Sequence, residues 1–132
     1  VTPTLDRCPA LGDGWTRSGR MLLFEVDYYS DQMFLRLILG PGPQDIRKRI
    51  HSAIISQDTF NRRHYKFYPK WWTFHGFKLL TKKQSESMEL EEAEAHLRER
   101  LAKFFSNELP EIENALLSVI EEIEADYETS AS

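Results

Sequence analysis

Four consecutive residues, Gly40-Pro41-Gly42-Pro43, constrain this chain more than any others. The prolines fix φ and remove two backbone donors, and the glycines open conformations closed to other residues, so neither a strand nor a helix runs through them. One element must end before Gly40 and another begin after Pro43. Upstream, Met33, Leu35, Leu37 and Leu39 alternate with Phe34, Arg36 and Ile38, the period of a strand with one buried face. Downstream, Ile46, Ile50, Ala53 and Ile54 recur at i, i+4, i+7, i+8, which predicts a helix from Pro43 to about Ser56 lying on a sheet. Gly42 is an acceptable cap, Pro43 suits the first helical position, and Asp45 complements the helix dipole. Arg47, Lys48 and Arg49 fall around the other sides of that helix.

The same periodicities organise the remainder. Leu22, Phe24, Val26 and Tyr28 alternate with Leu23, Glu25 and Asp27, and Tyr29-Ser30-Asp31-Gln32 reads as a tight turn, giving a β-hairpin. Glu25 and Asp27 share a face and could hold a metal or act as acid and base, but no third ligand is identifiable nearby, so a solvated face opposite Arg36 is the preferred reading. Trp71 to Thr81 is a third strand, with His75 among Trp71, Thr73, Phe77 and Leu79 on one face and Gly76 marking a bulge. Lys82 to Ser87 is a polar linker. Ser87 caps a helix from Met88 to about Asn107 with Leu90, Ala93, Leu97, Leu101 and Phe104 as its buried stripe. Pro110 starts a second helix to about Tyr127, carrying Ile112, Leu116, Val119, Ile120, Ile123 and Tyr127 on one face, and the short connection makes the two antiparallel. Residues 1–19 form an irregular arm in which Trp15 plugs an edge of the core, and 128–132 form a frayed tail. The expected fold is a single α+β domain, a small antiparallel three-stranded sheet packed by one helix and a C-terminal antiparallel helical hairpin.

Composition sets the outer bounds. With 132 residues, 41% of them hydrophobic, the chain suffices for one core and not two. No apolar run approaches the roughly 20 residues of a membrane-spanning helix, and the N-terminus lacks the order of a secretion signal. A lone Cys8 excludes an internal disulfide framework. A cytoplasmic protein without membrane partners is the expectation, and the start on Val1 suits a piece excised from something longer. The net charge of −4 conceals an asymmetry: fourteen Lys and Arg against seven Asp and Glu through residue 84, then three against fourteen. A basic half of this kind suits a polyanion, while simple neutralisation of one half by the other within the fold is the competing reading.

Two stretches invite functional readings. The glycine-rich corner leading into a helix resembles a phosphate cradle in outline. It lacks the Gly-Lys-Ser/Thr ending of the nucleotide-binding loop and the GxGxxG of dinucleotide folds, and its prolines remove donors, so a structural turn is preferred. Gln57 to Lys70, QDTFNRRHYKFYPK, interleaves Arg62, Arg63, Lys66 and Lys70 with Phe60, His64, Tyr65, Phe67 and Tyr68. Cations beside aromatic faces are what single-stranded nucleic acids bind, phosphates pairing and bases stacking. The other reading folds the aromatics back onto the sheet. The candidate nucleic-acid-binding set is Arg47, Lys48, Arg49, Arg62, Arg63, Lys66 and Lys70, with Tyr65 and Tyr68 as stacking groups. His75 reads as a core or edge residue, and His51, His64 and His96 show no metal-ligand spacing. No cofactor is expected.

The run FEVDYYSDQMFLRLILGPGPQDIRKRIHSAI, followed by KWWTFHGFKLL, resembles the portion downstream of the catalytic core in bacterial and phage members of the PD-(D/E)xK nuclease superfamily, over about residues 20–80. The resemblance implies an accessory domain of a DNA-directed enzyme. The nuclease motif needs an acidic residue two positions before a lysine. Lys48, Lys66, Lys70, Lys78, Lys82, Lys83 and Lys103 are preceded at that spacing by Ile46, His64, Tyr68, Gly76, Leu80, Thr81 and Leu101. None is acidic, so no catalytic residue carries over and the chain reads as not an enzyme. The expected function is a non-catalytic accessory domain contacting nucleic acid; the alternative is a protein-interaction or homodimerisation module using the C-terminal helices.

Overall fold

The computed structural model describes residues 5–8, 21–63, 66–68 and 70–131. Trp15, His64 and Tyr65 lie outside the described residues, as does the side chain of Tyr127. Strands β1 (Leu22–Tyr29), β2 (Gln32–Leu39) and β3 (Trp72–Leu80) form an antiparallel sheet of order β1-β2-β3. Helix α1 (Gln44–Ile55) follows β2, and α2 (Lys82–Ser87), α3 (Leu90–Lys103), a π-helical turn (Phe104–Glu108) and α4 (Leu109–Ala131) follow β3. The architecture is α+β.

The hairpin register follows from its alternation. Leu22 faces Leu39, Phe24 faces Leu37 and Val26 faces Leu35, so the apolar sets share one side of the sheet. The turn itself is the two residues Ser30 and Asp31, both at positive φ (50° and 59°), the conformation that matches the twist of the flanking strands. In β3 the pairing slips twice, between Thr73 and His75 and between Lys78 and Leu80. Phe74 and Leu79 are the extra residues, both buried, so the bulges flank Gly76 where one at Gly76 itself was expected. The slip also buries Trp72 and leaves Trp71 exposed outside the strand.

The corner turns as the prolines require. Pro43 takes the cap position with extended ψ, Gln44 opens α1, and the Arg47 N–H donates to the Pro43 carbonyl at 3.0 Å. The buried stripe of α1 is Arg47, Ile50, His51 and Ile54, an i, i+3, i+4, i+7 set rotated from the expected Ile46, Ile50, Ala53, Ile54. Ile46 and Ala53 are half-buried at its margin.

The C-terminal region departs from the expected helical hairpin. Residues 90–131 are helical throughout, and α3 and α4 do not lie side by side. The expected break at Pro110 is absent because the π-helical turn comes immediately before it: the widened turn contains Ser106, whose carbonyl a proline four residues later would strike in a regular helix. Phe104, fully buried, anchors this turn to the sheet, its ring 6.0 Å from Phe24 and 5.2 Å from Phe77. From there α4 packs against α1 and buries Ile112, Leu116, Val119, Ile120 and Ile123 as expected. Its helical backbone continues to Ala131, so no irregular tail begins at 128.

On the other side of Phe104, α3 overhangs. Leu97 and Leu101 are only half-buried, and Leu90, expected inside, is 84% exposed. The expected linker 82–87 is helix α2, opened by a capping box: Thr81 Oγ1 accepts the Gln84 N–H at 3.1 Å and Gln84 Oε1 accepts the Thr81 N–H at 3.0 Å. Within the arm, Leu5–Arg7 is a 3₁₀ turn, with Leu5 and Cys8 buried in the core and Arg7 bonded to Glu124 of α4 at 2.9 Å. No helix among the described residues is long and apolar enough to cross a membrane.

Candidate nucleic-acid interface

The three consecutive cations of α1 go to three different environments, because successive helical side chains point about 100° apart. Arg47 is fully buried. Its Nε donates to the Gly40 carbonyl at 2.9 Å, its Nη1 donates to the Tyr68 carbonyl, and its guanidinium lies 5.1 Å from the Phe67 ring centroid. It therefore clamps the Gly-Pro corner to the aromatic-basic loop and is not a solvated binding group. Lys48 is exposed, with Nζ 5.9 Å from the same Phe67 ring. Arg49 turns to α4, donating from Nη1 to Asp126 at 2.7 Å with Glu122 at 3.6 Å. The hydrogen bond to Asp126 is the main reason its pKa is raised.

The loop is fastened at both ends. Asn61 behaves as a piece of extra strand: its side-chain amide exchanges two hydrogen bonds with the Gly76 backbone, 2.7 and 2.8 Å, and the next N–H, of Arg62, donates to the Phe74 carbonyl at 3.1 Å. A Cβ on Gly76 would touch the Arg62 guanidinium at 3.4 Å. Arg63 donates to the Gln57 carbonyl at 2.8 Å and pairs with exposed Asp58 at 3.0 Å. Farther on, Lys66 Nζ lies 5.5 Å from the Tyr68 ring, and Phe67 meets His51 edge-on at 5.6 Å. Lys70 is exposed, and Tyr65 lies outside the described residues.

The structure thus joins Lys48 of the helix to Lys66, Phe67 and Tyr68 of the loop, with Arg47 as the buried link. Arg62 sits apart from them, by Phe74 and Gly76, Arg63 turns back to Gln57 and Asp58, and Arg49 is drawn toward α4. Sequence reading missed a second cation and aromatic grouping, on the sheet face away from the helices. Arg36 lies 5.2 Å from the Tyr29 ring and 5.5 Å from Phe34, Lys78 lies 5.6 Å from Phe34, and the two rings stack at 5.5 Å. The signal was available in strand alternation, which puts Phe34, Arg36 and Lys78 on the polar side. Asp27 offsets Arg36 there at 2.7 Å. Beside it, the hydrogen bond to Asp27, with burial and the charge of Asp27 adding, raises the Glu25 carboxyl, Arg36 opposing.

His75 is spoken for. It is buried, Nδ1 accepts the Asn61 N–H at 3.3 Å, and Nε2 therefore carries the proton and donates to Glu108 at 2.5 Å. With Nδ1 already accepting, this imidazole has no free lone pair to act as a base. Between α1 and α4 runs a cleft of about 450 Å³ lined by Lys48, Arg49, Ser52, Ser118 and Glu122 among others. No protein family, curated protein or solved structure matches the chain.

Proposed function

We propose that the chain is a non-catalytic domain that contacts single-stranded nucleic acid and, on the resemblance carried by residues 20–80, serves as an accessory to a nuclease-like protein. One observation carries this: Lys48 lies by the Phe67 ring and Lys66 by the Tyr68 ring, two adjacent cation and aromatic pairs on the loop that buried Arg47 ties to α1. Lysines pair with phosphates as point charges, and half-exposed aromatic faces receive bases without regard to sequence. Exposed Lys70 adds a further cation on the same loop.

Fluorescence anisotropy with single- and double-stranded oligonucleotides over a range of salt tests it. Three or four phosphate contacts give log K against log salt a slope of about −2 to −3 for a single strand. Lys48→Ala with Lys66→Ala should flatten it by about 1.4. Absence of salt-dependent binding at micromolar protein overturns the reading. A second reading, a docking surface for a partner protein or a second copy on α3, is favoured by the exposure of Leu90 and the half-exposure of Phe105. Light scattering showing a clean monomer removes its homodimer form.

A further inference from the structure

Two carboxylates of α4 hold a cation of α1. Arg49 follows Lys48 directly, and both line the cleft between the two helices, so Arg49 borders the basic surface described above. Its guanidinium is held by Asp126 at 2.7 Å and Glu122 at 3.6 Å, one turn apart on α4 and both largely exposed. The same helix holds Arg7 through Glu124 at 2.9 Å and Glu121 at 3.9 Å. Building on the proposed nucleic-acid reading, we infer that the acidic face of α4 is an internal competitor that withholds Arg49 from phosphate and limits the affinity of the basic surface. Ion pairs between exposed side chains hold weakly and yield to salt, so a polyanion can displace these carboxylates at some cost. The charge asymmetry between the two halves of the sequence is then a regulating feature: whatever neutralises or draws off the acidic face adds one cation to the site.

The test compares the full chain with Glu122→Gln/Asp126→Asn, and with Glu91→Gln/Glu92→Gln, an equal charge change on exposed positions of α3, in salt-titrated anisotropy on a single-stranded oligonucleotide. Freeing one cation steepens the slope by about 0.7 and tightens binding by about fivefold at 0.1 M salt. The α3 variant should leave the slope unchanged, and adding Arg49→Gln to the α4 variant should abolish the gain. Circular dichroism melting confirms that each variant is folded. Binding by the wild type with no steeper slope in the α4 variant, or a gain that survives Arg49→Gln, overturns the inference and leaves the nucleic-acid reading standing. Binding that appears only in the α4 variant supports complete masking. Absence of binding in every variant overturns the nucleic-acid reading and the inference together.

Discussion

Arg47 shows how a residue read as a ligand-binding cation becomes a structural one. A buried guanidinium is tolerated where its planar fork meets acceptors it can satisfy, and here two of them, the Gly40 and Tyr68 carbonyls, lie 7 and 21 positions away in sequence. A lysine has one ammonium point and cannot span both. Arg47→Lys and Arg47→Ala should therefore each destabilise the fold, the alanine by about 2–4 kcal/mol, because buried carbonyls lose their donor and the ring contact with Phe67 goes too. Urea denaturation measures this, and a loss under about 0.5 kcal/mol would show that the clamp is dispensable. Glu25 gives a second case with the opposite sense. Its raised carboxyl means that the folded chain binds that proton more tightly than the unfolded chain does, so stability falls as pH rises from the ordinary value of 4.5 through the raised one. Glu25→Gln keeps a donor toward Asp27 and removes the penalty. The variant should melt higher than wild type at pH 7, and the difference should close below pH 4.5; an equal gain at both would assign the effect to something other than this charge.

Among the elements, the hairpin carries a strain that its sequence does not relieve. Ser30 and Asp31 both hold left-handed backbone, where Asn-Gly is the pair that fits without cost. Left-handed conformation costs an ordinary residue about 1–2 kcal/mol, so Ser30→Asn with Asp31→Gly should stabilise by about 1 kcal/mol, read as a raised melting midpoint with the hairpin register unchanged. A neutral or lower midpoint would mean that the Tyr28 hydroxyl bond to Asp31, 3.4 Å long, contributes more than its length suggests. The hairpin was legible in the sequence because period-two alternation puts Leu22, Leu37 and Leu39 on one face, and the short turn between the strands sets which of them pair. The continuity of the C-terminal helices was not legible, since a proline after the polar run Ser106-Asn107-Glu108 reads as a helix start. What overrides that signal is tertiary: Phe104 seated between Phe24 and Phe77, and Glu108 bonded to His75 of β3, hold the π-helical turn through which the helix continues past Pro110.

For the whole molecule, the division into a basic and an acidic half was plain in the sequence, but which charges meet was not, because pairing depends on how α4 crosses α1 and the arm. The same gap explains the site: residue types marked the loop and helix as basic and aromatic, whereas burial alone separates Arg47, which clamps, from Lys48, which faces outward. The crossing of α4 also sets the acid behaviour of the fold. Arg7 holds Glu124 below the usual carboxylate value, chiefly by hydrogen bonding, against an opposing effect of burial and with their charge attraction adding. A depressed carboxyl contributes stability that is complete above the ordinary value of 4.5 and is lost as pH falls through its folded value. Arg7→Gln removes that contribution at neutral pH. The variant should therefore melt below wild type at pH 7, and the two melting curves should converge in acid once Glu124 is protonated in both. A gap that persists at pH 2 would assign the role of Arg7 to packing of the arm against α4, and no gap at pH 7 would show that the tie between them adds nothing to the fold.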